Sequence, residues 1–133
     1  MKVFRSAIEA GDFDGVGDLL ADDVVFHSPV AFKPYEGRPI VHAILRGVGR
    51  VFEDFRYVDE IVDGDTSALL FETRIGDVAV FGCDFIHTDD TGLIDDFTVM
   101  VRPLSAAHAL AEAMGAQFDR IQSEAAADLT GSH

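Results

Sequence analysis

The chain has 133 residues, 48% of them hydrophobic, which is enough for one domain with a real core and excludes a wholly disordered chain. Its 24 acidic against 10 basic residues give a formal net charge of −14. Such a surface repels phosphate backbones and anionic headgroups, so neither nucleic acid nor a membrane is expected as a partner. The single cysteine, Cys83, excludes an intramolecular disulfide and fits a cytoplasmic location. No signal peptide is expected, because the N-terminus runs directly into an amphipathic pattern with Glu9 and Asp12 close behind.

In chain order, Val3, Phe4, Ala7 and Ile8 share one side of a short helix that Gly11 ends. Asp12 is placed to cap a second helix burying Phe13, Val16, Leu19 and Leu20. Gly15 and Gly17 weaken that helix, so packing must hold it. Residues 24–28 read as a strand by their β-branched and aromatic content, and Pro29 and Pro34 impose an extended loop. Gly37-Arg38-Pro39 opens a third helix whose apolar stripe is Ile40, Val41, Ile44, Leu45, Val48, Val51 and Phe52.

Beyond it the period changes from helical to alternating. Segments 55–62, 67–74, 78–87 and 93–102 read as strands, separated by Asp63-Gly64-Asp65, Gly76-Asp77 and Asp89-Asp90-Thr91-Gly92 turns. Short turns between consecutive strands imply an antiparallel meander. Pro103 ends the sheet. Leu104, Ala107, Ala111, Met114, Phe118 and Ile121 mark a final helix, and residues 123–133 read as a mobile tail whose Gly131-Ser132-His133 resembles a cloning remnant. The domain is therefore expected to span residues 1–122.

Helices followed by a run of strands give an α+β order. The strands at 67–74 and 78–87 are apolar on both sides, with Phe81, Cys83 and Phe85 opposite Val78, Val80 and Ile86. Helices cover one face only. The other face calls for a cover, either a second copy of the sheet in a homodimer or the final helix.

Two stretches carry a family resemblance. AIEAGDFDGVGDLLADDVVFHSPVAFKPYEGRPIV, residues 7–41, and FGCDFIHTDDTGLI, residues 81–94, are similar to the opening and the penultimate strand of the nuclear transport factor 2-like superfamily, which includes SnoaL-like cyclases and ketosteroid isomerases. The 99–115 stretch also resembles a subgroup of SnoaL-like proteins. The resemblance implies a curved antiparallel sheet packed on the N-terminal helices, a cone-shaped barrel around an apolar pocket, and a C-terminal helix.

The resemblance also places residues. Asp84 falls where ketosteroid isomerases keep a protonated Asp in the oxyanion hole. Read from the residues alone, Asp84 interrupts a strand of Val, Phe, Cys and Ile. It either points inward and protonates or pairs with Arg74 or Arg102 across strands. Ser28, before Pro29, stands where the general-base Asp is expected, and a serine hydroxyl without help is too weak a base for a carbon-bound proton. Phe4 stands where the oxyanion-hole Tyr is expected and cannot donate a hydrogen bond. The acidic residue that cyclases and epoxide hydrolases carry on the last strand corresponds to Val99.

The remaining candidates favour structural roles. His27, His42, His87, His108 and His133 show no metal-ligand spacing, so no metal and no cofactor is expected. Glu72 and Arg74 share a strand face as a surface ion pair, and His87 with Asp89 and Asp90 belongs to a turn. The expectation is therefore a small apolar ligand in a pocket lined by Phe4, Phe26, Ser28, Ile44, Val80, Asp84, Phe97 and Val99. An isomerase- or cyclase-type enzyme using Asp84 as acid, and an interaction module using the sheet face, are the alternatives.

Overall fold

The computed structural model describes residues 1–131. Its elements are helices α1 (Lys2–Ala10), α2 (Phe13–Gly17), α3 (Arg38–Val51) and α4 (Leu104–Gly131), and strands β1 (Leu20–His27), β2 (Tyr35–Glu36), β3 (Glu53–Asp63), β4 (Thr66–Ile75), β5 (Val78–Thr88) and β6 (Ile94–Arg102). Helices therefore precede a strand meander and a last helix follows it, an α+β arrangement. No helix among the described residues is long and apolar enough to cross a membrane.

All six strands form one sheet in the order β2-β1-β6-β5-β4-β3. The meander from β3 to β6 is antiparallel, but β1 runs parallel to β6, so the sheet is mixed rather than wholly antiparallel. The parallel pair arises because the chain crosses from β1 through α3 to the far edge and returns strand by strand. The sheet curls without closing. β2 and β3 remain edges, so the expected barrel is an open cone. Two register shifts in β3, one beside Asp54 at φ 54°, bend that edge inward.

Three segments differ from the sequence reading. Leu20 belongs to β1, not to the second helix, because the backbone N–H of Ile94 bonds to the Leu19 carbonyl at 2.8 Å and draws the chain into the sheet. The proline loop contains β2, whose Tyr35 pairs with Phe26. The segment from 123 onward is no tail: α4 continues through it, with Ala125 buried and the Asp128 carboxylate 3.4 Å from Arg46. Ser132 and His133 lie outside the described residues.

The buried stripe of α4 is Ala106, Leu110, Ile121 and Ala125, offset from the expected one, and Leu104 and Phe118 are exposed. The offset follows from a close crossing of α3. At Gly47 an added Cβ would press on Ile121 and Met114, so glycine there lets α4 settle against α3. Gly17 in α2 does the same for His42, whose Nε2–H donates to the Phe13 carbonyl at 2.6 Å. The weak helix formers in α2 and α3 are thus contact points.

Because α4 lies beside α3 on the concave side, it does not cover the convex face of the sheet. The row Leu70, Cys83, Met100 and its neighbour Phe85 stay accessible there, with Met100 56% and Phe85 40% exposed.

Candidate functional site

The concave face carries Leu69 and Phe71 from β4, Gly82, Asp84 and Ile86 from β5, and Phe97 and Val99 from β6, by the two-residue alternation of each strand. With α1, α3 and α4 as the opposite wall, these strands enclose a cavity of about 560 Å³. Its inner wall is aromatic. Phe97 meets Phe4 edge-on at 5.5 Å and Phe26 at 5.6 Å, while Phe55 packs against Phe71 at 5.0 Å and Tyr57 at 4.9 Å. Exposed wall residues mark the mouth: Glu9 and Ala10 at the end of α1, Val30 in the proline loop, and Ala111, Gly115 and Phe118 on α4.

Asp84 sits in this wall, 6% exposed. Neither Arg74 nor Arg102 is its partner; the Tyr57 hydroxyl donates to Asp84 Oδ2 at 2.8 Å. Burial pushes the Asp84 carboxyl up from the usual 3.8 to about 7, and the Tyr57 hydrogen bond opposes part of that rise. Tyr57 is itself buried, and burial followed by the Asp84 charge raises its phenol. The arrangement is serial. Tyr57 spends its only proton on Oδ2, and no protein group among the described residues reaches Oδ1. A protonated Asp84 therefore has an O–H to offer a molecule in the cavity.

Of the eight expected wall residues, Phe4, Phe26, Ser28, Ile44, Asp84, Phe97 and Val99 line the cavity. Val80 does not; it is buried in the core, because the ring of Phe71 lies on Gly82 and forms the wall on that side. Ser28 faces the cavity from the residue after β1, and its Oγ accepts the Val30 backbone N–H at 3.1 Å. His27, one residue earlier, turns away and approaches Asp96 at 3.4 Å. One surface pairing is corrected. Glu72 pairs with Arg56 across β3 and β4, while Arg74 pairs with Asp54 at 2.6 Å and with Glu53. His87 lies in β5 rather than in the turn and pairs with Asp95 at 2.6 Å, while Asp89 of the turn accepts the backbone N–H groups of Thr91 and Leu93. No group of three or more potential metal-ligating residues is found among the described residues.

Sequence reasoning missed Tyr57. Its signal was an aromatic side chain with a polar end between charged neighbours in FRYVDEIV, but its partner lies 27 positions away and two strands over, and only the curl of the sheet brings them together. It also missed Glu9, the other carboxylate on the cavity wall.

An open cone of this kind, with helices over the concave face and an apolar cavity between, is the nuclear transport factor 2-like fold. A protein of that fold from Mesorhizobium loti has a TM-score of 0.68 at 18% identity, over 77% of this chain and 88% of that one. The SnoaL-like domain family matches residues 2–97, and the chain belongs to it. Two solved structures stand nearer in sequence. A steroid delta-isomerase from Pseudomonas aeruginosa is 43% identical over 89% of this chain and 88% of its own, with a TM-score of 0.84. An uncharacterised protein with a cystatin-like fold from Silicibacter pomeroyi is 34% identical over 92% of each chain, also at 0.84. Comparison with curated proteins gives no match.

Proposed function

We propose that the cavity binds a small, largely apolar molecule carrying one oxygen acceptor, with Asp84 holding that oxygen and Tyr57 holding Asp84. The observation that supports this most is one buried carboxyl, raised by that burial to about 7, inside an aromatic wall that no Lys, Arg or His among the described residues lines. Apolar area supplies affinity in such a site and a single polar group supplies orientation. 2-Naphthol tests the reading as a probe. Calorimetry is expected to show binding by the native chain and a loss of about three- to thirtyfold in Asp84→Asn, because an amide is the weaker donor to a partly charged oxygen. Equal affinities in the two proteins would contradict it.

A second reading is favoured by the 43% identity with the Pseudomonas aeruginosa steroid delta-isomerase. Here Asp84 is the acid of an isomerase- or cyclase-type reaction. The base is then not Ser28, whose hydroxyl is too weak. Glu9 at the mouth is the remaining carboxylate on the wall.

The convex face supports a homodimer. Leu70, Cys83, Phe85 and Met100 form a contiguous apolar surface that α4 leaves open, and a second copy presents the same surface to it. Light scattering at micromolar concentration is expected to give twice the chain mass, and Met100→Glu to halve it. A monomer in the native protein would contradict the assignment. A location in the cytoplasm, where Cys83 stays reduced, belongs to the same proposal.

A further inference from the structure

We infer that Arg5 is a positioning residue for the Tyr57–Asp84 pair, selecting ligands whose oxygen carries negative charge. The inference rests on the binding reading above. Arg5 follows Phe4 on α1, so Phe4 faces the cavity while Arg5 lies outside its wall. Its guanidinium carbon stands 5.7 Å from the centre of the Tyr57 ring. It is held there from two sides, by Glu60 of β3 at 3.2 Å and by Glu9 of its own helix at 3.4 Å. Glu60 sits three residues after Tyr57, so the cation is tied to the strand that carries the ring it faces.

A cation beside the ring favours electron density on the phenol oxygen's side of a shared proton. Tyr57 then donates more strongly to Asp84 Oδ2. A ligand that takes hydrogen-bond character from Oδ1 and carries negative charge passes that charge along the same line, from ligand oxygen through Asp84 to Tyr57, where Arg5 stands. Arg5 acts in the direction opposite to burial on the Tyr57 phenol, while Glu9 adds to the rise. The charged groups that face this line are therefore Arg5 and Glu9 from α1, Glu60 from β3 and Asp84 from β5. A neutral ketone or a plain hydrocarbon gains nothing from Arg5. An acidic phenol or enol does.

The test measures affinity for a series of substituted naphthols of increasing acidity, with naphthalene as the neutral control, in the native chain, Arg5→Met, Arg5→Lys and Asp84→Asn. Methionine keeps the apolar stem and removes the charge. In the native chain affinity is expected to rise with naphthol acidity. Arg5→Met is expected to flatten that dependence and to lose about two- to fivefold for the most acidic naphthol, with naphthalene unchanged and Arg5→Lys largely restored. Unchanged dependence on acidity in Arg5→Met, with Asp84→Asn impaired, would overturn the role of Arg5 alone. Equal losses for naphthalene and naphthols would also overturn it, as a structural effect. No naphthol binding by the native chain, or equal binding by Asp84→Asn, would overturn the binding reading and this inference with it.

Discussion

Asp84→Asn is expected to make the protein more stable by an amount that grows with pH, smallest near pH 4 and complete above neutral pH. The Asp84 carboxyl titrates at about 7 in the folded chain against a usual 3.8, because burial disfavours the carboxylate. A folded pKa above the unfolded one means that the folded state holds its proton longer. Ionised Asp84 therefore opposes folding progressively from about pH 4 to pH 7, and the penalty is complete above 7. The gap corresponds to roughly 4 kcal/mol, of which about 2–3 kcal/mol develops between pH 5 and pH 9. The neutral amide has no such dependence, yet its oxygen still accepts the Tyr57 O–H. His87 confuses a scan of the native chain alone. Its side-chain hydrogen bond to Asp95 raises its pKa, so the stability it contributes is also lost as pH rises through the folded value. The difference between native and variant chains removes that contribution. Denaturant unfolding at several pH values is expected to show a gap that widens from pH 5 to pH 9; a constant gap would place the Asp84 carboxylate in water.

Ketosteroid isomerisation by the native chain is expected to stay near background, and Ser28→Asp to raise it. Position 28 lies on the cavity wall just before Pro29, and its Oγ bonds only locally, to the Val30 N–H. An aspartate there keeps that local bond with one oxygen and turns the other toward the cavity. General-base catalysis contributes about 10²–10⁴ in rate. The gain is expected at the low end, because Phe4 still offers no second donor and Asp84 must polarise the carbonyl alone. Turnover of a Δ5-3-ketosteroid by the native chain at the rate of a dedicated isomerase would overturn the account of Ser28. It would move the base to Glu9, and Glu9→Gln would then abolish the activity.

The parts of this architecture that were legible in the sequence are those that local chemistry dictates. Gly37-Arg38-Pro39 and the broad stripe after it could only open a helix, and Gly76-Asp77 between two alternating segments could only join a hairpin. The resemblance put Asp84 in the pocket, while the residues alone left open an ion pair with Arg74 or Arg102; β5 carries it on the buried side with Gly82 and Ile86, opposite Cys83 and Phe85. What escaped depends on distant partners. The parallel contact of β1 with β6 joins residues about seventy positions apart, and it decided that Leu20 is strand. Gly17 reads only as a weak point of the second helix, and the close approaches that it and Gly47 permit, to His42 and Ile121, exist only in the fold. Alanines dominate the end of α4 and carry little pattern, so its packing through Ala125 and Asp128 was invisible. Val80 was expected in the cavity wall and shares the buried face of β5 with Asp84, yet the ring of Phe71 over Gly82 forms the wall on that side.

The central claim is that Asp84 is a protonated donor facing an apolar cavity. Carboxyl-carbon NMR titration of the uncomplexed protein, with Asp84→Asn to assign the resonance, tests it most directly. The account predicts a midpoint near 7, moving upward when Tyr57→Phe removes the Tyr57 hydrogen bond to Oδ2. A midpoint below 4 would show the carboxylate charged and solvated, and would remove the group on which recognition of an oxygen-bearing ligand rests.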